Sequence, residues 1–120
     1  MIKSGASSYS AARLAASAST YSNMTGHLAT IDSVGEYRFL SWILRARDAY
    51  VSGSDSVAEG QWLFTDGHAI GQPVAYLPWT FGEPNGEDDE NCLALSPTDG
   101  VRDIDCNTSK MDYVVEFDRK

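Results

Sequence analysis

The chain has 120 residues, of which 42% are hydrophobic, a length and composition that suit one globular domain with a single modest core. Seventeen acidic against nine basic residues give a formal net charge of −8, which disfavours nucleic acid and anionic membrane surfaces as partners. No apolar run approaches the roughly 18 residues of a membrane span, and the start is too polar for a signal-peptide core. We therefore expect one domain over residues 1–120, excised from a larger protein and not inserted in a membrane.

The first third of the chain is helical in pattern. The alanine-rich run at residues 8–20 contains few helix breakers, and a second helix is predicted over residues 33–48, with Ser33 and Glu36 spaced as a capping box. Between them, residues 26–31 predict a turn and a short strand. The second helix places its apolar residues mostly on one face: Val34, Tyr37, Phe39, Leu40, Ile43 and Leu44.

Beyond Asp48 the sequence changes to short β-prone runs separated by Gly, Asp, Asn and Pro. Because helices precede strands, the pattern predicts an α+β domain. The predicted strands cover residues 49–53, 61–65, 74–79, 91–96 and 113–117.

The two cysteines, Cys92 and Cys106, lie fourteen positions apart and have no nearby His or Cys that would complete a zinc site. We interpret them as one disulfide, which would stabilise the fold by about 3 kcal/mol in the chain-entropy model. Such a bond persists in an oxidising compartment, so the prediction is an extracellular or cell-surface location.

An acidic cluster lies in the stretch EPNGEDDENC, where residues 83–90 contain five carboxylates. Self-repulsion makes such a cluster costly unless water, arginines or a bound cation neutralise the charge. The composition alone leaves these three possibilities open.

From Tyr9 to Asp118 the chain resembles a C-type lectin-like domain. The resemblance is carried, in order, by GHLATIDSVGEYRFLSWI, EGQWLFTDG, LPWTFGEPN, ENC, DIDC and YVVEF. It implies an α+β fold in which two helices pack on small antiparallel sheets beside a long calcium-binding loop region, with Cys92 and Cys106 as its cystine. A second family disulfide has no counterpart, because Val115 and helix alanines replace those cysteines. The single disulfide and the YVVEF ending resemble bacterial members.

The resemblance implies a Ca²⁺ site built from Glu83, Asn85, Glu90 and Asp103, a mixture of the oxygen ligands that calcium prefers. The same residues would bind the sugar, because two neighbouring sugar hydroxyls complete the calcium shell. Each hydroxyl also donates a hydrogen bond to a carboxylate and accepts one from an amide NH₂. Members with E-P-N favour mannose, glucose, N-acetylglucosamine or fucose. An auxiliary calcium site would use Asp55 and Glu59.

Arg102 departs from the family pattern, because it stands where W-N-D members have asparagine. Arginine has no acceptor oxygen, so we expect it either to turn into solvent or to pair with Glu83 and Glu90 in place of the metal. The second arrangement would abolish ordinary lectin activity.

An enzyme is not expected. Glu83 and Glu90 lack the signs of a buried glycosidase pair, and His27 and His68 have no neighbouring nucleophile or ligand, so each is interpreted as a packed or turn histidine. The tryptophans Trp42, Trp62 and Trp79 are interpreted as core residues. Only Tyr76 and Phe81 are placed where an aromatic ring could contact a ligand.

The leading hypothesis is a calcium-dependent carbohydrate-binding module for adhesion, for example to cell-surface glycans. The alternative is a C-type lectin-like domain that binds a protein or another surface without sugar, its metal site weakened by Arg102. A third possibility is a structural domain in which calcium orders the loop.

Overall fold

The computed structural model describes residues 2–44, 48–67, 69–79, 90–96, 100–108 and 111–118. In chain order the helices and strands are β1 (Ile2–Ala6), α1 (Tyr9–Ala18), β2 (Thr20–Tyr21), β3 (Met24–Leu28), α2 (Val34–Leu44), β4 (Ala49–Ser54), β5 (Cys92–Ser96), β6 (Gly100–Ile104) and β7 (Met111–Asp118). Two helices and a mainly antiparallel sheet confirm the predicted α+β class. Neither helix is long and apolar enough to cross a membrane.

The sheet is built around β7, the longest strand. Its strand order is β2-β3-β7-β4-β5-β6, and β1 also pairs with β7. All pairings are antiparallel except that between β4 and β7. The order places β3 and β6 on opposite sides of β7.

Alternation along the strands divides the core between the two faces of the sheet. On one face Val51, Leu95 and Val101 pack with Leu40 and Leu44 of α2. The residues next to them in the chain face α1 on the other side, in a cluster that contains Tyr9, Ala12, Ala16, Leu28, Tyr50, Ala94, Ile104 and Val115.

Helix α1 begins at Ser8, whose Oγ accepts from Ala11 N at 3.1 Å. After Tyr9, the buried residues of the helix are the small Ala12 and Ala16, which allow close approach to β3 and β7. A Cβ on Gly26 would lie 2.5 Å from the Ala16 carbonyl oxygen and 2.7 Å from Val115 Cγ1. Close packing without a covalent bond therefore holds α1 against β3 and β7 at this point.

Helix α2 begins as predicted, with Ser33 Oγ accepting from Glu36 N at 3.3 Å. Leu40 and Leu44 are buried, but Phe39 is 62% exposed and Trp42 is 70% exposed. The interpretation of Trp42 as a core residue is therefore wrong. A helix against a sheet buries only a narrow stripe, and Trp42 lies outside it.

Two predicted strands are wrong. Residues 61–65 and 74–79 form isolated bridges, at Leu63 and Trp79, rather than regular strands. Trp62 and Phe64 are buried in alternation, as in a strand, but the backbone folds back locally, with Phe64 N donating to Gln72 O. Strands β1, β2 and β6 lie outside the strands predicted from the β-prone runs, and the resemblance implied only the end of β6, through DIDC. The Lys, Ser, Gly and Thr residues of β1 and β2 give no apolar alternation.

Candidate functional site

Three strand ends meet at one edge of the sheet. Ser54 at the end of β4 lies opposite Cys92 at the start of β5, and Cys92 lies opposite Ile104 at the end of β6. Antiparallel pairing thus brings together the chain segments that carry Asp55, Glu90 and Asp103.

The predicted disulfide is present at the same edge. Cys92 and Cys106 are bonded, with their Cα atoms 5.2 Å apart. The Cys106 carbonyl also accepts from Tyr9 N at 2.8 Å, which ties this edge to the start of α1. The covalent bond and the helix contact hold the ends of β5 and β6 in fixed register.

Asp55, one of the predicted metal ligands, is deeply buried. It is 2% exposed, and its Oδ2 accepts from Gly60 N at 2.9 Å. Among the described residues its other oxygen, Oδ1, is buried without a hydrogen-bond partner. The Asp55 N–H donates to Asn91 O at 3.2 Å, so the turn lies against the ENC segment.

Glu59 and Glu90 each precede a residue that is hydrogen-bonded to Asp55. Glu59 is exposed and immediately precedes Gly60, whose N–H binds Asp55. Glu90 is half-buried and immediately precedes Asn91, whose carbonyl accepts from both Asp55 N and Ser54 Oγ. The structure therefore brings the segments of all three acids to the same turn.

Asp103 lies in β6, directly opposite Leu93 of β5, and is only 2% exposed. In a regular strand it shares a face with Val101, which packs in the core on the α2 side. A carboxylate held at a sheet edge in such low exposure needs compensating donors or a cation.

Arg102 adopts an arrangement that neither prediction anticipated. Its guanidinium donates to Asp48 Oδ2 at 2.6 Å, with the two side chains 36% and 39% exposed. Arg102 lies opposite Ala94, which in turn lies opposite Tyr50, so it faces the α1 side of the sheet. Asp103 faces the other side. Asp48, which sequence reasoning missed, is the partner.

Backbone and ring contacts fix the chain at Pro78 and Trp79, just before residues 80–89, which lie outside the described part of the chain. Val101 N donates to Pro78 O at 2.9 Å, and Trp79 packs edge-on against Trp62 with ring centroids 5.4 Å apart. Trp62 is buried and Trp79 half-buried, as the core interpretation of these two predicted. Tyr76 packs against Tyr37, with ring centroids 6.4 Å apart, which directs it toward α2.

A polar network anchors the irregular region to α1. The buried Tyr9 hydroxyl donates to Val51 O at 2.8 Å, accepts from Gly53 N at 2.9 Å, and lies 2.7 Å from Thr65 Oγ1. Burial raises the pKa of this phenol despite those hydrogen bonds. Arg13 adds an ion pair with Asp66 at 2.8 Å.

Several predicted site residues lie outside the described residues, namely Glu83, Asn85, Phe81, His68 and the acids at 87–89. Among the residues that are described, no group of three His, Cys, Asp or Glu side chains could hold a metal ion. His27 packs with its Nδ1 2.7 Å from Leu28 O, as expected of a packed histidine.

The residues at this edge nevertheless suit a hard cation. Calcium prefers carboxylate and carbonyl oxygens, and the buried Asp55 Oδ1 is such an oxygen without a described partner. Asp55, Glu59, Glu90 and Asp103 are the described residues that could contribute to such sites.

A model of the family described as Lectin C-type domain matches residues 11–114. A mannose-binding protein from Gallus gallus is 31% identical over 69 residues, covering 58% of this chain and 26% of its own length. C-type lectin domain family 4 member E from Homo sapiens is 33% identical over 91 residues, covering 71% of this chain and 41% of its own length. The chain thus spans less than half of either relative.

Solved structures show the same fold. The carbohydrate-recognition domain of cow CD23, solved in the presence of a GlcNAc2Man3 oligosaccharide, superposes with a TM-score of 0.78 at 26% identity, covering 99% of this chain and 87% of that one. A calcium-independent type II antifreeze protein superposes with a TM-score of 0.75 at 24% identity, covering 97% and 85%. Together with the family match, these show that the chain belongs to the C-type lectin domain family, whose domains are non-enzymatic binding modules with carbohydrate-binding members.

Proposed function

We propose that this chain is a calcium-dependent carbohydrate-binding module that recognises neighbouring sugar hydroxyls of the mannose, glucose, N-acetylglucosamine or fucose type. The observation that carries the proposal is Asp55, a nearly inaccessible carboxylate with one oxygen bound by Gly60 N and the other without a described hydrogen-bond partner. A buried ionised carboxylate is costly unless it is paired or coordinates a metal. A cation at this turn would remove that cost.

The proposed division of roles follows the edge of the sheet. Asp55 and Glu59 would hold an auxiliary calcium, sharing Glu90 with the main site. Glu83, Asn85, Glu90 and Asp103 would hold the ion that contacts the sugar. The fixed register of β5 and β6, with Leu93 opposite Asp103, supports a preformed main site.

Calcium, when bound, would supply the coordination positions that the sugar hydroxyls complete. The protein residues would select the ligand, because the Glu83 carboxylate accepts a hydrogen bond from a hydroxyl and the Asn85 amide donates one. A sugar must therefore present two adjacent hydroxyls that can each donate and accept. The name of the chicken relative, a mannose-binding protein, agrees with this class.

We further propose that residues 1–120 form one domain of a longer extracellular or cell-surface protein that uses it for adhesion. The disulfide between Cys92 and Cys106 supports an oxidising compartment. Because the contact with a single sugar is small, useful avidity would come from several copies.

The direct test is calorimetric titration of chelator-stripped protein with calcium, followed by titration with mannose in calcium and in chelator. We expect heat from calcium, and heat from mannose only when calcium is present. Galactose at the same concentration is the matched control sugar. Mannose binding that persists in chelator would contradict the calcium mechanism, and silence in both titrations would contradict the whole proposal.

The paired substitution Glu83→Gln with Asn85→Asp tests which residues select the sugar. It exchanges the E-P-N pattern for Q-P-D, the pattern of family members that favour galactose. The number of side-chain oxygens available to calcium remains sufficient, because each new residue still carries at least one. We expect calcium binding to remain while the preference moves from mannose toward galactose. An unchanged preference would show that other residues choose the ligand.

The alternative function is binding of a protein or another surface without sugar. Arg102 favours it, because this residue has no acceptor oxygen and is engaged by Asp48 instead of contributing a ligand to the metal site. The likeness to a calcium-independent antifreeze protein indicates that the fold also occurs without calcium dependence. Calcium binding without any sugar response, over a panel that includes fucose and N-acetylglucosamine, would favour this alternative.

A further inference from the structure

A groove of about 440 Å³ separates α2 from β2, β3 and β7, far from the acidic edge. We call it the α2 groove and define it by Tyr21, Gly35, Phe39, Ile43, Glu116 and Phe117, which are among the residues that line it. Its volume lies in the range of ligand-binding clefts. Nothing in the proposed sugar site uses these residues.

The walls of the α2 groove are apolar and partly open to solvent. Phe39 is 62% exposed and Tyr21 is 58% exposed. The Tyr21 ring packs against Phe117, with ring centroids 5.9 Å apart. Gly35, in the first turn of α2, also lines the cleft and adds no side chain to it. Adjoining exposed apolar residues that line a cleft are typical of a binding surface.

The rim of the α2 groove is acidic. Glu36 and Glu116 both line it, and no lysine or arginine occurs among the described residues that do so. Glu116 is held in place, because its Oε1 accepts from Thr30 N at 3.1 Å. The formal charge of the whole chain, −8, has the same sign as this rim. A cationic ligand would therefore be attracted, while a second copy of this chain would be repelled.

We propose that the α2 groove docks a segment of a partner protein in which a large apolar side chain lies beside a lysine or arginine. The apolar side chain would pack between Phe39 and Phe117, and the cation would approach Glu116 and Glu36. The buried apolar contact supplies most of the affinity, and the acidic rim selects the sign of charge and speeds the encounter.

This surface is independent of the proposed sugar site. The groove is lined mainly by α2 and β7, and the acidic edge lies at β6, with β4 and β5 between β7 and β6. At the usual strand spacing, β7 and β6 are separated by roughly 14 Å. One domain could therefore hold a sugar at one edge and a protein partner at the other, and removal of calcium would leave the second interaction unchanged.

The test uses the whole chain, labelled with ¹⁵N, and three capped peptides followed by NMR chemical-shift mapping. The probe is Lys-Phe-Leu-Arg, and the controls are Glu-Phe-Leu-Glu, which reverses the charge, and Lys-Ser-Ser-Arg, which removes the apolar side chains. We expect only the probe to shift the amides of the groove, equally in calcium and in chelator. No binding, shifts confined to other regions, or equal binding of either control would overturn the proposal.

Matched variants separate the two parts of the recognition. Phe39→Ser is expected to weaken probe binding by at least about tenfold, since it removes the main apolar wall. Glu116→Gln retains the oxygen that accepts from Thr30 and is expected to weaken binding by about threefold, an effect that salt abolishes. Trp42→Ser, which removes a 70% exposed aromatic from the same helix outside the groove, is expected to change nothing.

Equal losses for Phe39→Ser and Trp42→Ser would indicate a nonspecific hydrophobic effect and overturn the docking site. Thermal melting of each variant verifies that it remains folded. If the chemical shifts of the groove amides changed with protein concentration in the absence of peptide, the occupant would be a second copy of this chain. That result would overturn the proposal.

Discussion

The guanidinium of Arg102 donates to Oδ2 of Asp48 at 2.6 Å, across the face of the sheet opposite to its neighbour Asp103. Successive residues of a strand point to opposite faces, so this pairing separates the cation of Arg102 from the carboxylate of Asp103. Position 102 therefore supplies no ligand oxygen to the proposed calcium site, and the guanidinium of Arg102 does not take the place of the metal ion. The distinction determines what its replacement will do.

We predict that Arg102→Asn raises calcium affinity by about two- to fivefold, since it removes a positive charge near the acidic edge. The cost in stability should stay below about 1 kcal/mol, because the pair with Asp48 is more than a third exposed. Calorimetric calcium titration measures the affinity. Arg38→Asn on the exposed surface of α2 is the control for charge alone, and an equal gain there would refute a local role for Arg102.

Asp55→Asn should remove the effect of calcium on thermal stability. Without calcium the variant should melt at or above the temperature of the parent, because Asn keeps the acceptor for Gly60 N and loses an uncompensated buried charge. At a calcium concentration one hundred times Kd, the parent should gain about 2.7 kcal/mol. Melting curves in calcium and chelator measure both effects. The control is Asp32→Asn, at an exposed position, which should gain as much stability from calcium as the parent does. If Asp55→Asn gained as much stability from calcium as the parent, Asp55 would be excluded as a ligand.

Sequence reasoning succeeded where the signal is local. The capping box at Ser33 placed the start of α2, the alanine-rich run gave α1, and the cysteine spacing gave the disulfide. Each depends on residues close together in the chain or on side-chain chemistry alone.

Sequence reasoning failed where the decisive partner is distant or the backbone is irregular. Arg102 and Asp48 are 54 positions apart, and only the registers of β4, β5 and β6 bring them together. The alternating burial of Trp62 and Phe64 imitates a strand, although Leu63 between them forms only isolated bridges, to Ser54 and to Pro73. One signal was available but unused: alternation along residues 100–104 places Arg102 and Asp103 on opposite faces.

Tyr9→Phe should destabilise the domain by about 1–3 kcal/mol, because it leaves the buried Val51 carbonyl and Gly53 N–H without their hydroxyl partner. The change preserves the ring and its edge-on contact with Tyr50, so packing should remain unchanged. Urea denaturation measures the loss. Tyr21→Phe, at a residue 58% exposed, is the matched control and should cost almost nothing; an equal loss in both would argue against the network.

The same hydroxyl predicts a loss of stability in alkali. Burial raises the pKa of Tyr9 in the folded state, so below pH 10 both states are protonated and the group adds no pH dependence. Above pH about 10 the unfolded state releases the proton first, and stability should fall by up to about 1.4 kcal/mol per pH unit. Denaturation between pH 9 and pH 11.5 measures the slope. Tyr9→Phe should reduce this slope of stability against pH to the contribution of Tyr50, whose pKa is also raised by burial. An unaltered slope in Tyr9→Phe would contradict the assignment to Tyr9.

The close approach of α1 to β3 predicts opposite effects for two glycine substitutions. Gly26→Ala would place a Cβ 2.5 Å from the Ala16 carbonyl oxygen and 2.7 Å from Val115 Cγ1, so α1 must move, at a cost of about 1–3 kcal/mol. Gly35→Ala in α2, where the nearest such atom is 3.8 Å away, should instead stabilise by about 0.5–1 kcal/mol through helix propensity.

Urea denaturation of the two variants beside the parent measures both changes. If close packing does replace the second family disulfide, the loss in Gly26→Ala should be accompanied by faster amide exchange in α1, because the helix has no covalent bond that would hold it to β7. A Gly26→Ala variant that is as stable as the parent, with α1 amides equally protected from exchange, would contradict this prediction. It would show that the contact between α1 and β3 accommodates a methyl group and that Tyr9 and Arg13 hold the helix instead.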